Sequence, residues 1–432
     1  MTDATVSAQP RVKTTGGAFY RLVWKWHFLA SLYVLPFMMM LAFTGGVYLY
    51  KSHIEGWLYA DQMNIEDAGT PLRYEMQLVN LHADPGITRL RGVTNYDNPT
   101  RSTMVEFDDA DGVRSIAWIN PYTGEVLGHT ERDAMPMQML RKFHGELLLG
   151  NVGTKFVELA AHWAIVMFIT GAYLWWPRGQ RTLRDAVSLP QGPMKKRGFW
   201  RETHLFTGLL AIVLVVPMIF AGLPWTDVWG GGLSYVQQQI GQDSKSLRFS
   251  RDVPNSTSSE GTTLPLADIF AIAKDNGLIA PYEARPPRGE DAAFWIRSAS
   301  VSRNDQSELI IDQYSGAVLQ RFDFTDNPIV ARTISKGISF HQGELYGWLN
   351  LAQNTFAAIL VLVLSVSGFV AWWKRKPEGK LGVPAAPDAA LELGMMALVV
   401  VLSLLFPLVG ASLIVALILD WALFRRIGWF RT

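Results

Sequence analysis

Long apolar runs alternate with polar stretches of domain length. Residues 28–50, 205–224, 349–373 and 393–419 carry no charged side chain, and 156–176 carries only Glu158. Apolar runs of about 18 residues or more are long enough to cross a bilayer. The pattern predicts four transmembrane helices at 24–50, 154–176, 201–224 and 349–373. A further apolar stretch, 391–424, would extend about 50 Å as a single helix, longer than the ~30 Å hydrocarbon core. Pro407 and Gly410 near its middle favour a hairpin of two short helices over one long helix. Polar segments 51–150 and 225–348 are each long enough to fold. Their alternating strands, a helix-like segment (Pro71–Leu81; Leu264–Asn276) and glycine turns predict an α+β domain in each. The fold class is therefore a mainly α membrane protein, a helical bundle bearing two α+β domains.

Charge sets the expected topology. Arg11, Lys13, Arg21 and Lys25 precede the first span, seven Lys and Arg lie between Arg178 and Arg201, and Lys374, Arg375 and Lys376 follow the fourth. The positive-inside rule puts the tail 1–23 and the loop 177–200 in the cytoplasm and both large segments outside. Arg425, Arg426 and Arg431 would return inside with a C-terminal hairpin. Trp24, Trp26, Trp175, Trp176, Trp372 and Trp373 form aromatic belts at the span ends. The first apolar run has an internal Pro36 and no small-residue cleavage pattern after it, which predicts a retained helix rather than a signal peptide.

The chain of 432 residues is 49% hydrophobic and 18% charged, with a net charge of +1. This excludes a soluble enzyme, a disordered protein and a nucleic-acid binder. It contains no cysteine, which excludes iron–sulfur clusters, covalent c-type haem and thiol catalysis.

The two halves share one plan. Lys142-Phe-His-Gly-Glu-Leu147 returns as Ser339-Phe-His-Gln-Gly-Glu-Leu345, and Thr170-Gly-Ala-Tyr-Leu-Trp-Trp-Pro-Arg178 as Ser367-Gly-Phe-Val-Ala-Trp-Trp-Lys-Arg375. The turn Trp118-Ile-Asn-Pro-Tyr-Thr-Gly-Glu-Val-Leu127 matches Leu309-Ile-Ile-Asp-Gln-Tyr-Ser-Gly-Ala-Val-Leu319.

This duplication sorts the eight histidines. His27 and His204 occupy equivalent positions at the cytoplasmic ends of spans one and three. His144 and His341 occupy equivalent positions just before spans two and four. Two pairs at two depths, with one imidazole from each half, suit bis-histidine haem, whose iron takes axial ligands on opposite faces. The plainer reading is that each ring sits at the membrane interface or bonds a carbonyl. A divalent metal site using His144 with Glu146 and His341 with Glu344 is a third reading. His162, mid-span and without a counterpart, is an additional or alternative haem ligand or a hydrogen-bonding residue in the bundle. Glu158, one turn earlier, orients His162, relays protons or simply packs. His53, His82 and His129 are expected to be ordinary surface residues. There is no Walker loop and no dinucleotide-binding glycine motif, so electrons would come from a membrane quinol or a redox protein.

The Tyr-x-Gly-x-Val-Leu turns at 122–127 and 314–319 resemble PepSY domains. The histidine-led spans ending in Gly…Trp-Trp, with the stretch 405–420, resemble PepSY-associated transmembrane helices. Proteins of this family are iron-regulated inner-membrane proteins of Gram-negative bacteria and include ferric-siderophore reductases of the ferrioxamine type, which contain haem. The resemblance implies two PepSY-like periplasmic domains, haem b (two groups) held by His27, His144, His204 and His341, and reduction of siderophore-bound Fe(III) at the periplasmic face. It does not identify the siderophore, and His162 is not part of the motif. An iron or siderophore permease and a non-catalytic regulatory membrane protein are the alternatives.

Overall fold

A computed structural model describes residues 15–83, 86–178, 182, 184, 187–250, 253–257, 262–384, 393–419 and 421–422. Arg11, Lys13, Arg181, Arg425, Arg426 and Arg431, used above for topology, lie outside the described residues, as does the side chain of His82. The described helices of eight residues or more are α1 (Thr15–Tyr48), α2 (Lys51–Leu58), α3 (Pro136–Glu146), α4 (Asn151–Trp175), α5 (Arg197–Gly222), α6 (Val228–Gln239), α7 (Leu266–Asp275), α8 (Ile329–Gln342), α9 (Trp348–Trp373), α10 (Leu393–Leu405) and α11 (Pro407–Leu419). The strands are β1 (Ile87–Asn95), β2 (Thr103–Asp109), β3 (Arg114–Ile119), β4 (Val126–Glu131), β5 (Tyr282–Arg285), β6 (Phe294–Ser298), β7 (Ser307–Ile311) and β8 (Val318–Asp323).

Among the described residues, four helices are long and apolar enough to cross a membrane: Gly17–Tyr48, Asn151–Trp175, Arg197–Trp225 and Trp348–Trp373. The chain is a membrane protein. It divides into two compact units, the first made of residues 1–42, 156–216 and 359–432, the second of 43–155 and 217–358.

The first unit is helical. Small residues bring its helices close, with Ala160, Ala164, Ala211 and Val361 all buried. Trp163 on α4 donates its indole N–H to Ser412 on α11 at 3.0 Å. Arg375 stacks 4.7 Å above the ring of Trp24, and Arg178 covers Tyr173 at 4.4 Å. These aromatic and basic residues mark the span ends. The apolar stretch near the C-terminus is two helices that meet at Phe406. A Cβ built on Gly410 lies 2.9 Å from that of Ser403. Seven residues of a straight helix would separate the two positions by about 10 Å, so α11 folds back on α10.

The second unit is built on one antiparallel sheet of eight strands in the order β4-β3-β2-β1-β5-β6-β7-β8. Two separate domains were expected. Instead β1 pairs with β5 through Val93↔Ala284, Thr94↔Glu283 and Asn95↔Tyr282. One core spans both halves of the sheet, from Val105 and Phe107 through Ala117 and Ile119 to Ile296, Leu309 and Ile311, with Ile269 and Phe270 of α7 packed on it. Pairing β1 with β5 removes two exposed strand edges, which are an aggregation hazard when left open. Strand periodicity specifies which side chains face the core but not which distant strand completes an edge. The two matched turns close alike. Gly124 N–H donates to Asn120 O at 2.9 Å and Gly316 N–H to Asp312 O at 3.1 Å. Both glycines adopt φ of +73°, a left-handed conformation that glycine takes without a Cβ clash.

Candidate functional site

Four of the predicted histidines fall into two clusters, one in each unit. In the first unit, His27 on α1 and His204 on α5 line a single cavity of about 700 Å³. In the second, the rings of His144 on α3 and His341 on α8 lie 6.5 Å apart between centroids, with their planes crossed at 64°. His53 and His129 are exposed.

Each of the four rings is held in the same manner. His27 packs on Gly171 of α4, His204 on Gly368 of α9, His144 on Gly45 of α1 and His341 on Gly222 of α5. A Cβ on these glycines would stand 3.3, 2.9, 3.0 and 2.9 Å from the respective ring Cε1 atoms. Only the absence of a side chain lets the rings come this close.

Each ring also commits its Nδ1 to the helix that offers the glycine. His204 Nδ1 meets Leu364 O at 3.0 Å, and His341 Nδ1 meets Met218 O at 2.8 Å. A carbonyl only accepts, so both imidazoles carry their proton on Nδ1 and present a bare Nε2. His27 Nδ1 meets Thr170 Oγ1 at 2.9 Å. That hydroxyl also lies 3.0 and 3.1 Å from the carbonyls of Val166 and Met167, which lets it accept from His27 Nδ1–H while donating to the main chain. His144 Nδ1 lies 2.8 Å from Thr44 Oγ1. A second partner that fixes the tautomer and aims the other nitrogen is what a metal-ligating histidine ordinarily has.

His341 is braced further. Asn350 and Asn354 of α9 are fully buried. Asn354 Nδ2 donates to Phe340 O at 2.6 Å and to His341 O at 3.2 Å, and Asn350 Oδ1 accepts from Leu345 N–H at 3.0 Å. These bonds satisfy carbonyls at the end of α8 that have no partner within the helix. Trp225 stands edge-on to the His341 ring at 5.7 Å. Burial pushes the His144 imidazole down to about 4, with His341 beside it adding to the shift. Burial also lowers His341, against its bond to the Met218 carbonyl. Both rings are therefore neutral at pH 7, the form that can offer a lone pair to a metal.

The dimensions fit haem. Two imidazoles on opposite sides of one metal, each bonded at about 2 Å with its centroid roughly 1 Å further out, have centroids about 6 Å apart. The His144–His341 spacing of 6.5 Å matches this. The cavity at His27 and His204 has walls that include Phe28, Phe168, Phe369 and Trp372, and Arg197, Arg201 and Arg375 also line it. A porphyrin has the complementary form, a flat apolar body with two carboxylates on one edge. Among the described residues, no three His, Asp or Glu side chains converge as a metal-binding group.

His162 joins neither pair. It is fully buried in α4, and neither ring nitrogen has a hydrogen-bond partner among the described residues. Its ring packs on Phe406 at 4.7 Å, and Glu158 Oε1 lies 3.9 Å from its Nε2.

The sequence reading picked out the histidines but not what seats them. Thr44 and Asn354 lie within otherwise apolar spans, and no spacing in the sequence ties them or the four glycines to particular histidines. The signal was the pairing of a small hydroxyl residue with glycine at Thr44-Gly45, Thr170-Gly171 and Ser367-Gly368.

No curated protein matches the chain. The sequence model of the family described as the PepSY-associated TM region matches residues 24–375, and the chain belongs to that family.

Proposed function

We propose that this protein is a haem-dependent ferric-siderophore reductase of the bacterial inner membrane, with two haem b groups. It would pass electrons from a membrane quinol or redox protein to Fe(III) chelates on the periplasmic side. The observation that carries the proposal is the shared seat of His27, His144, His204 and His341, each with Nδ1 engaged and its ring against a glycine of another helix. Bound between the imidazoles of a pair, haem supplies reversible one-electron transfer.

The chain's own residues orient, exclude water and balance charge. Thr170 and the Leu364 carbonyl aim His27 and His204. The aromatic walls of their cavity keep water out, and the three arginines that line it answer the carboxylates of the group. Thr44, the Met218 carbonyl and the Asn350–Asn354 pair hold His144 and His341. His27 with His204, and His144 with His341, would each hold one haem, which would supply outer-sphere electron transfer to the chelate. Fe(III) gains one electron and becomes Fe(II), which siderophores bind far more weakly, so reduction releases the metal. The matched halves of the sequence support a duplicated plan of two PepSY-like segments. The basic segments support a topology with the sheet in the periplasm.

The test is to reduce the purified protein anaerobically with dithionite, remove the excess, and mix it with a ferric siderophore and an Fe(II)-trapping dye. Reoxidation of the protein matched by stoichiometric Fe(II) is expected. Reduced haem that ignores every ferric chelate would overturn the assignment.

A further inference from the structure

The second unit carries a dense cluster of arginines that the proposed electron path does not use. It lies on the sheet face opposite the α7-covered core. There Glu106 of β2, Arg114 of β3, Glu283 and Arg285 of β5, and Trp295 and Arg297 of β6 alternate with the core positions. Arg114 and Arg132 flank Glu106 at 3.3 and 3.6 Å. Arg285 and Arg297 flank Glu283 at 3.1 and 2.6 Å. Arg91 donates to Asp108, and Arg89 lies 3.8 Å from the same carboxylate. Arg248, Arg285 and Arg297 stand 5.9, 5.2 and 5.7 Å from the centroid of the Trp295 ring. That ring is buried, so it anchors the guanidinium groups from below instead of meeting a ligand.

The charges do not balance. Among the described residues, seven guanidinium groups meet four carboxylates, those of Glu106, Asp108, Glu283 and Glu308, the last held by the Trp295 indole N–H at 3.0 Å. Burial and neighbouring guanidinium groups hold Arg114 and Arg248 below the ordinary arginine range. The Nε–H groups of Arg114 and Arg285 have no hydrogen-bond partner among the described residues. Clustered, desolvated cations in excess favour an anion. The cluster also borders the helix of His341. Arg297 acts electrostatically on Arg303, whose Nε donates at 2.9 Å to Ser339 Oγ, two residues before His341 on α8.

We propose that this arginine face binds a net-anionic ferric chelate, for which the Fe(III) tris-catecholate trianion is the probe. This rests on the ferric-chelate reading above and deepens it by naming the substrate class. A ferric trihydroxamate is neutral, or cationic when it bears a free amine, and gains nothing from an excess of arginines.

The experiment uses the full chain in nanodiscs of uncharged lipid, oxidised and without reductant. Equilibrium dialysis measures the binding of Fe(III) tris-catecholate, ferric citrate and an amine-bearing Fe(III) trihydroxamate. The trianion should bind at least about tenfold more tightly than the cationic chelate, and raising ionic strength should weaken it. Arg285→Gln with Arg297→Gln should lower its affinity by about tenfold or more, and lysine at both positions should restore most of it. Because those arginines flank a half-buried carboxylate, Arg89→Gln with Arg132→Gln provides a second pair, expected to lower affinity a few-fold. Equal affinity for the trianion and the cationic chelate overturns the proposal. So does unchanged trianion affinity in both variant pairs. Charge-selective binding here, together with a dithionite-reduced protein that reduces no ferric chelate, supports this site and sinks the reductase reading, whereas reduction of ferric chelates by a protein that binds them without charge preference sinks this site alone.

Discussion

His204 and His341 give their Nδ1 protons to main-chain carbonyls, Leu364 O and Met218 O, whereas His27 and His144 meet the hydroxyls of Thr170 and Thr44. The geometry is alike, with contacts of 2.8–3.0 Å and a glycine under each ring. The chemistry of perturbation differs. A hydroxyl acceptor can be removed by one substitution. A carbonyl acceptor cannot, so the Nδ1 bonds of the second-half rings cannot be deleted by changing the acceptor's side chain. Each cluster contains one ring of each kind, so each has one partner that is tunable and one that is built into the backbone.

The largest expected effect comes from breaking a carbonyl-held ring outright. His341→Ala should halve the haem content per chain and leave the spectrum of the other group intact, as read by pyridine haemochrome. Retention of the full complement would remove His341 from the ligand set. Next come the glycines. Gly222→Ala and Gly368→Ala each place a methyl 2.9 Å from a ring carbon, an overlap that costs about 1–3 kcal/mol where the neighbour must shift. Both should lose low-spin character at one haem, while Gly208→Ala, whose Cβ would meet Leu364 Cδ1 at an ordinary 3.5 Å, should leave both spectra unchanged.

Acid should act on the haem-free protein at His144. Its folded value of about 4 lies below the usual 6.5, so the unfolded chain binds the extra proton more readily. The stability from this ring is complete above about pH 6.5 and is lost as pH falls toward 4. Thermal melts of haem-free protein should fall over that window and should flatten in His144→Leu. The hydroxyls are the mildest substitutions, with an effect no larger than that of the glycines. Thr44→Val should weaken binding at one haem by about 10–100-fold, the usual range for a second ligand-orienting partner, and Thr44→Ser should restore it. A Thr44→Val protein indistinguishable in haem retention and midpoint potential would show that the hydroxyl does not orient His144.

Much of this architecture is legible in the sequence, because its physical signals are local. Four spans appear as apolar runs, and the four histidines stand out because the two halves align. The seats were not legible. That Gly222 lies under His341 depends on how α8 approaches α5, which no spacing within either segment encodes. The same holds for the single sheet. β1 and β5 each read as an ordinary strand, and their pairing across nearly two hundred residues is a tertiary fact. The arginine face escaped for a related reason. Arg114, Arg285 and Arg297 look like solvent-facing positions of three unrelated strands until the sheet sets them side by side.

The central claim is that two histidine pairs each hold a haem. The most direct measurement is the visible spectrum of the detergent-purified protein, oxidised and dithionite-reduced, after expression with haem supplied, together with a pyridine haemochrome count against protein. Two low-spin b-type haems per chain are expected, and the crossed planes of His144 and His341 should give one of them a strongly anisotropic low-spin electron paramagnetic resonance signal. A folded protein that remains colourless would contradict the claim.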